Sequence, residues 1–133
     1  MEKLKEFFKR DRFATGAGAE LVLVEPGHAI VRMKIESRHH NAIGTAQGGA
    51  IFMLADFAFG AAVNSRGHVA VAINCAITFM KAVTSGLLTA EAHEVTRNPK
   101  LGTVTVRVTD EAGDLVAIFQ GLAYQKKDPF PVP

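Results

Sequence analysis

Cysteine is almost absent from this chain of 133 residues, and Cys75 alone cannot form an internal disulfide framework. It sits in an apolar stretch, where a buried inert thiol is expected rather than a nucleophile, and a reducing cytoplasm is the compartment that fits. An excess of charge is missing as well. Fifteen basic residues face 13 acidic ones for a formal net charge of +2, too even a balance for a chain that must neutralise many phosphates, so no nucleic-acid partner is expected. The opening MEKLKEFFKRDRF has no long apolar core and carries acids among its bases, which excludes a secretory signal or transit peptide reading. Familiar chemical signatures are missing too: no G-x-S-x-G elbow, no P-loop lysine and no cysteine pair for zinc. Gly16-Ala17-Gly18 starts like a dinucleotide fingerprint, but Leu21 stands where its third glycine belongs and a strand pattern follows. His39 and His40 are neighbours whose side chains diverge, so they are expected to be solvated loop residues, and no metal is expected.

What is present is enough for one domain spanning residues 1–133, because 48% hydrophobic content at this length builds a sizeable core. Leu4, Phe7 and Phe8 fall at helical spacing among charges and predict a short amphipathic helix. Alternating apolar runs on either side of Pro26-Gly27 predict a hairpin of two antiparallel strands. After a polar loop, SRHHNAIGTAQ, comes QGGAIFMLADFAFGAAV, residues 47–63, a proline-free helix with Thr45 as a candidate capping hydroxyl and Ser65, Arg66 and Gly67 as stop signals. Three or four further strands are expected in VAVAINCAITFMKAV, LLTAEAHEVTR, GTVTVRVTD and LVAIFQGLAYQK, and the short turns between them, at Thr84 to Gly86, Asn98 to Gly102 and Asp110 to Asp114, predict an antiparallel meander. In the first, Val71, Ile73, Cys75, Ile77 and Phe79 are expected on one face, with Ala72, Asn74, Ala76 and Thr78 on the other. The tail DPFPVP is expected to be an extended end. One long apolar helix against one curved sheet, an α+β fold, is the economical architecture.

The helix carries a single charge, Asp56. It is barely long enough to span a bilayer, and a mid-span aspartate costs about 2.5–3.5 kcal/mol on insertion, so a membrane helix is rejected in favour of one buried on all sides. A buried aspartate has a plain explanation, a local hydrogen bond or a wet cavity. It also has a chemical one. Burial without a partner raises a carboxylate's pKa and makes it a better base, while the glycine pair Gly48-Gly49 presents free amides at the positive end of the helix dipole. Eight residues separate Gly48 from Asp56, about 12 Å along a helix, whereas a base and an oxyanion donor must each lie roughly 3 Å from the reacting atoms. If both act on one carbonyl, two chains must bring their helices together. That activity requires a dimer with two equivalent sites.

At these residues the sequence resembles the PaaI-like (phenylacetate-degradation type) hot-dog fold acyl-CoA thioesterases. The resemblance rests on HHNAIGTAQGGAIFMLADFAFGAAVNSRG, supported by AITFMKAV and DLVAIFQGLAYQK. It implies a central helix wrapped by a five- or six-stranded antiparallel sheet, dimers whose sheets join edge to edge, and assembly into a tetramer. It further implies hydrolysis of an aryl- or medium-chain acyl-CoA, with Asp56 as nucleophile or general base, the Gly48 amide polarising the carbonyl, and Asn41 positioning the thioester or the water. No cofactor is implied, since the coenzyme A thioester is the substrate. Many relatives have histidine where Gln47 stands, and a glutamine can position a group but cannot exchange a proton near neutral pH. Gln47, Gly49 and Phe57 are the neighbouring substrate-binding candidates, with Arg97, Lys100, Lys81 and Arg66 for the CoA phosphates and Phe52, Phe59 and Phe79 beside the acyl group. Two other readings remain: a hot-dog module that binds acyl-CoA without turnover, which Gln47 favours, and an acyl-thioester dehydratase, which would need a histidine beside the acid.

Overall fold

The computed structural model describes residues 2–130. The first turns are the expected amphipathic helix, α1 (Glu2–Phe8), followed by a helix that the sequence pattern did not announce, α2 (Arg12–Gly16). Asp11 makes α2 possible, since its carboxylate accepts the Ala14 amide and satisfies a donor that the short helix would leave open. Strands β1 (Glu20–Glu25) and β2 (His28–Ile35) form the expected hairpin. Gly27 turns the chain between them at φ 74°, and its amide donates to Ser65 Oγ beyond the long helix. A short 3-10 turn (Ser37–His39) and the loop after it lead into α3 (Gly48–Val63), the long helix. Strands β3 (His68–Phe79), β4 (Gly86–Arg97), β5 (Leu101–Thr109) and β6 (Leu115–Pro129) complete one antiparallel sheet of six, in the order β1-β2-β4-β5-β6-β3.

That order corrects the expected meander. β4, β5 and β6 do follow one another, but β3 pairs with β6 and stands at the far edge instead of beside β4. The intervening segment explains why. Met80 donates its amide to Val116 O, Val83 is buried and its carbonyl takes the Ala46 amide, so residues 80–85 run across the sheet's end as a strap and no hairpin turn forms at Thr84–Gly86. The predicted single face of β3 is also broken. A bulge at Ile73 shifts the register between Ala72 and Asn74. Cys75 and Ile77 oppose Gly121 and Phe119, which point at α3, whereas Val71 opposes Tyr124 on the outer face. Asp128 and Pro129 prolong β6 and Phe130 is held by the Gly67 carbonyl, as an extended end should be. The rest of that tail, residues 131–133, lies outside the described residues.

The core lies between α3 and the concave face of the sheet. Leu54, Ala55, Ala58, Ala61 and Ala62 are fully buried, and their small side chains let the sheet come close to the helix axis. Phe59 packs on Phe119, and a Cβ on Gly121 would fall 2.5 Å from the Phe59 ring, so only glycine fits there. The expectation of a helix buried all round needs correction. The sheet wraps one side only, and Gly49, Met53, Asp56, Gly60 and Val63, spaced four, three, four and three apart, form a stripe that the chain leaves partly open. None of the described helices is long and apolar enough to cross a membrane.

Candidate active site

Two places on α3 hold the candidate chemical groups. At the N-terminus of α3, Gln47 rather than Thr45 is the cap, its side-chain oxygen accepting the Gly49 amide. Thr45 is engaged elsewhere, its hydroxyl accepting the Asn41 side-chain amide at 2.9 Å. The Gly48 amide has no acceptor among the described residues and precedes the first intrahelical bond, so it remains a free donor at the positive end of the dipole. Gly48 lines a cleft of about 320 Å³ with Ile51, Phe79, Met80 and Lys81. A Cβ at residue 48 would stand 3.1 Å from the Phe79 ring. On the far side of Gln47, a second cleft of about 400 Å³ is lined by Phe13, Arg38, His40, Gly49 and Met53.

Two helical turns on, Asp56 has no donor among the described residues. No side-chain oxygen there is buried without a partner, so its carboxylate opens onto solvent along the stripe. Burial pushes its pKa above the ordinary carboxylate range, and the charge of Asp11 adds to the rise. The Cys75 thiol is also raised, by burial first and then by the charge of Asp56, which keeps it protonated and unreactive.

The remaining candidates divide by position. Asn41 builds its own loop: its side-chain Oδ1 accepts the amides of Ile43 and Thr45, and one side-chain N–H goes to Thr45, leaving one free. Phe79 joins Gly48 at the cleft. Phe57 and Phe59 do not; Phe57 is buried against Phe8 under α1 and Phe59 lies in the core. Lys81 lines the Gly48 cleft with its ammonium held by Asp110 and Asp114 at 2.6 and 2.8 Å. Arg66 and Arg97 gather at the other end of α3, where both approach Glu94, and Lys100 on the neighbouring turn makes no ion pair among the described residues. His39 corrects its expected solvation. It is buried, with Nδ1 accepting the Glu36 amide and Nε2 donating to Ala17 O at 2.7 Å, so it ties the loop before α3 to α2. His40 is half-buried and donates to Thr84 O on the strap, a bond across 44 residues that the local pattern could not show.

Residues 5–121 match the family described as Domain of unknown function (DUF4442). An Archaeoglobus fulgidus protein provisionally named an esterase is 38% identical over 98% of this chain and 86% of its own. The Escherichia coli acyl-coenzyme A thioesterase PaaI is 30% identical over 89% of this chain and 85% of its own. The solved E. coli PaaI structure superposes with a TM-score of 0.91, covering 96% of this chain and 94% of that one at 27% identity. The chain belongs to the PaaI-like hot-dog thioesterases. As a member of that family it is a thioester hydrolase, built on the hot-dog architecture of six antiparallel strands around one long helix. A hypothetical thioesterase of Streptococcus pneumoniae, solved with coenzyme A, shares this PaaI-like fold at a TM-score of 0.84 and 26% identity, covering 91% of this chain and 95% of that one.

Proposed function

We propose that the protein hydrolyses an aryl- or medium-chain acyl-CoA to the free acid and CoA, at two sites that each combine residues from two copies of the chain. One observation carries the reading: an unpartnered, solvent-reaching Asp56 and an unpartnered Gly48 amide lie eight residues apart on α3, about 12 Å and too far to serve one carbonyl from one chain. A second copy supplies the missing half if its α3 runs antiparallel across the stripe. The sheet edge favours such a copy. β3 is twelve residues long, bonds to the sheet on one side only, and exposes Val71, Ile73, Phe79 and Met80 along it or just past its end. An apolar edge of that length is a template for another strand, and β3 pairing with β3 of a second copy would satisfy it; two such dimers give a tetramer.

In this site the thioester carbonyl oxygen accepts the Gly48 amide of one protomer, and Asp56 of the other acts at the thioester carbon. As a general base it takes a proton from water, whose oxygen bonds to the carbon; as a nucleophile it bonds there itself and water cleaves the resulting anhydride. In both routes the oxyanion is stabilised at Gly48, the C–S bond breaks, and CoA leaves as a thiolate that takes up a proton. No cofactor enters. Asn41 has one side-chain N–H left to position the water or the thioester, while Gln47 fixes the helix start and cannot shuttle protons. Phe79 offers the acyl group an apolar wall, and Lys100, which makes no ion pair among the described residues, is a cation for a CoA phosphate. A reducing cytoplasm is the setting with which the lone cysteine agrees.

A thiol-release assay over a panel of acyl-CoAs tests the reading. Turnover of aryl or medium-chain esters is expected, with the other chain lengths slower. Tight binding with no free thiol anywhere in the panel would leave an acyl-CoA-binding module in its place.

A further inference from the structure

The outer face of the sheet carries a cluster that the hydrolytic site does not use. His28, the first residue of β2, and His93 on β4 are directly paired across the strands, and their imidazoles stack with centroids 4.4 Å apart and 12° between planes. Glu91 lies two residues before His93 and therefore on the same face. Its Oε2 is 2.6 Å from His28 Nε2 and 3.3 Å from His93 Nε2. One ligand atom from each of the three residues falls within 4.8 Å of the others. We propose that His28, Glu91 and His93 form a binding site for a divalent transition-metal ion of the zinc type, held on the outside of the sheet.

The donor chemistry selects the ion. Two imidazoles and one carboxylate suit zinc, nickel or copper and not magnesium or calcium, which take oxygen donors. Three protein ligands with an open fourth position for water make a tetrahedral set, whose metal bonds of about 2.0–2.2 Å place donors roughly 3.3–3.5 Å apart. The His93–Glu91 separation already has that value, and the His28–Glu91 separation is shorter at 2.6 Å. Glu25 supplies the support that metal-bound histidines require. Its Oε1 lies 2.9 Å from His28 Nδ1, so with an ion bound the ring would donate there and turn the Nε2 lone pair to the ion, the carboxylate–histidine–metal arrangement. Two carboxylates, Glu25 and Glu91, thus face the site. The register also places Arg107 opposite Glu91 on β5, a cation that makes no ion pair among the described residues.

The ion would join the turn between β1 and β2 to the centre of β4. The cluster sits on the outer face of the sheet, and Gly27 and Glu94 beside it contact Ser65 and Arg66 past the C-terminal end of α3, about 10 Å along the helix from Asp56 and about 22 Å from Gly48. A stabilising role for the hairpin follows, and hydrolysis should not depend on it.

Untagged, metal-stripped protein titrated with Zn²⁺ in a calorimeter is the test, with Co²⁺ absorption reporting geometry. One ion per chain and a tetrahedral Co²⁺ spectrum are expected, with thermal unfolding shifted upward by Zn²⁺ and not by Mg²⁺. His93→Ala, on an exposed side chain, should keep the metal-free unfolding midpoint and lose saturable binding, and Glu25→Gln should weaken it about 10- to 100-fold. Thioester hydrolysis should be the same with and without the ion, so this result and the hydrolytic reading stand or fall separately. Absence of saturable Zn²⁺ binding, or equal binding by wild type and His93→Ala, overturns the proposal.

Discussion

Phe79 sets its ring 3.1 Å from the point at which a Cβ on Gly48 would stand. The free amide of Gly48 therefore lines a cleft that one methyl group would narrow. Gly48→Ala should lower kcat/KM for acyl-CoA about tenfold or more, equivalent to about 1.4 kcal/mol of transition-state stabilisation. Stability should not fall with it. Phe79 is half exposed and can yield a few tenths of an ångström, and alanine favours a helix over glycine. Steady-state kinetics beside urea unfolding checks both, and an unchanged kcat/KM would remove Gly48 from the site.

Asp56→Asn keeps the shape of the side chain and loses the base. Hydrolysis should drop about 10²- to 10⁴-fold. Stability should move the other way. Because burial raises the folded-state pKa above the ordinary 3.8, the folded chain holds a proton that the unfolded chain releases between those two values. Wild-type stability thus declines as pH rises through that window and is lowest above it, where the charged form is buried. The asparagine variant should be the more stable at neutral pH, with the advantage fading as pH falls through that window and gone below about 3.8. The acid limb of the wild-type pH–rate profile should likewise lie above 3.8. Denaturation curves at several pH values that show no crossover of this kind would contradict the assigned burial.

Particular residues show how far the sequence was readable. The long helix declared itself because fourteen consecutive residues after Gly49 contain a single charge, and the hairpin because Pro26-Gly27 divides two alternating runs. The isolation of Asp56 was legible for the same reason. Its exposure was not, since an open stripe of Gly49, Met53, Gly60 and Val63 has the composition of a buried one, and only the sheet's reach distinguishes them. The strap of residues 80–85, the bulge at Ile73 and the burial of His39 depend on partners 22 to 51 residues away, as the His39–Ala17 and His40–Thr84 bonds and the Ala72–Ala123 pairing show, and no local periodicity carries that information. His28, Glu91 and His93 escaped notice likewise, because strand register brings them together across 63 residues.

Gly121 tests the packing of the helix on the sheet. A methyl group there would fall 2.5 Å from the Phe59 ring, and both residues are buried with no room to yield. Gly121→Ala should destabilise the protein by about 1–3 kcal/mol in urea unfolding, as overpacked cores do. Combining it with Phe59→Leu should recover part of that loss, so the two changes together should cost less than their sum. Strict additivity would mean that the contact is not what limits residue 121.

The shared site makes a stronger demand, which mixing two inactive variants can meet. Asp56→Asn lacks the acid and keeps the amide; a bulky Gly48→Val closes the cleft and keeps the acid. Each homodimer has two defective sites. Unfolded and refolded together in equal amounts, half of the dimers should be mixed, and each mixed dimer contains one site with the acid of one chain and the amide of the other. Activity should return to about a quarter of wild type, since half of the dimers regain one site of two. If acid and amide worked within one chain, no mixture could restore a site, and the rate would stay at the sum of the two inactive proteins. An edge substitution separates assembly from chemistry in the same assay: Ile73→Lys on β3 should prevent the sheets from joining, giving a folded monomer by sedimentation with neither activity of its own nor any power to complement.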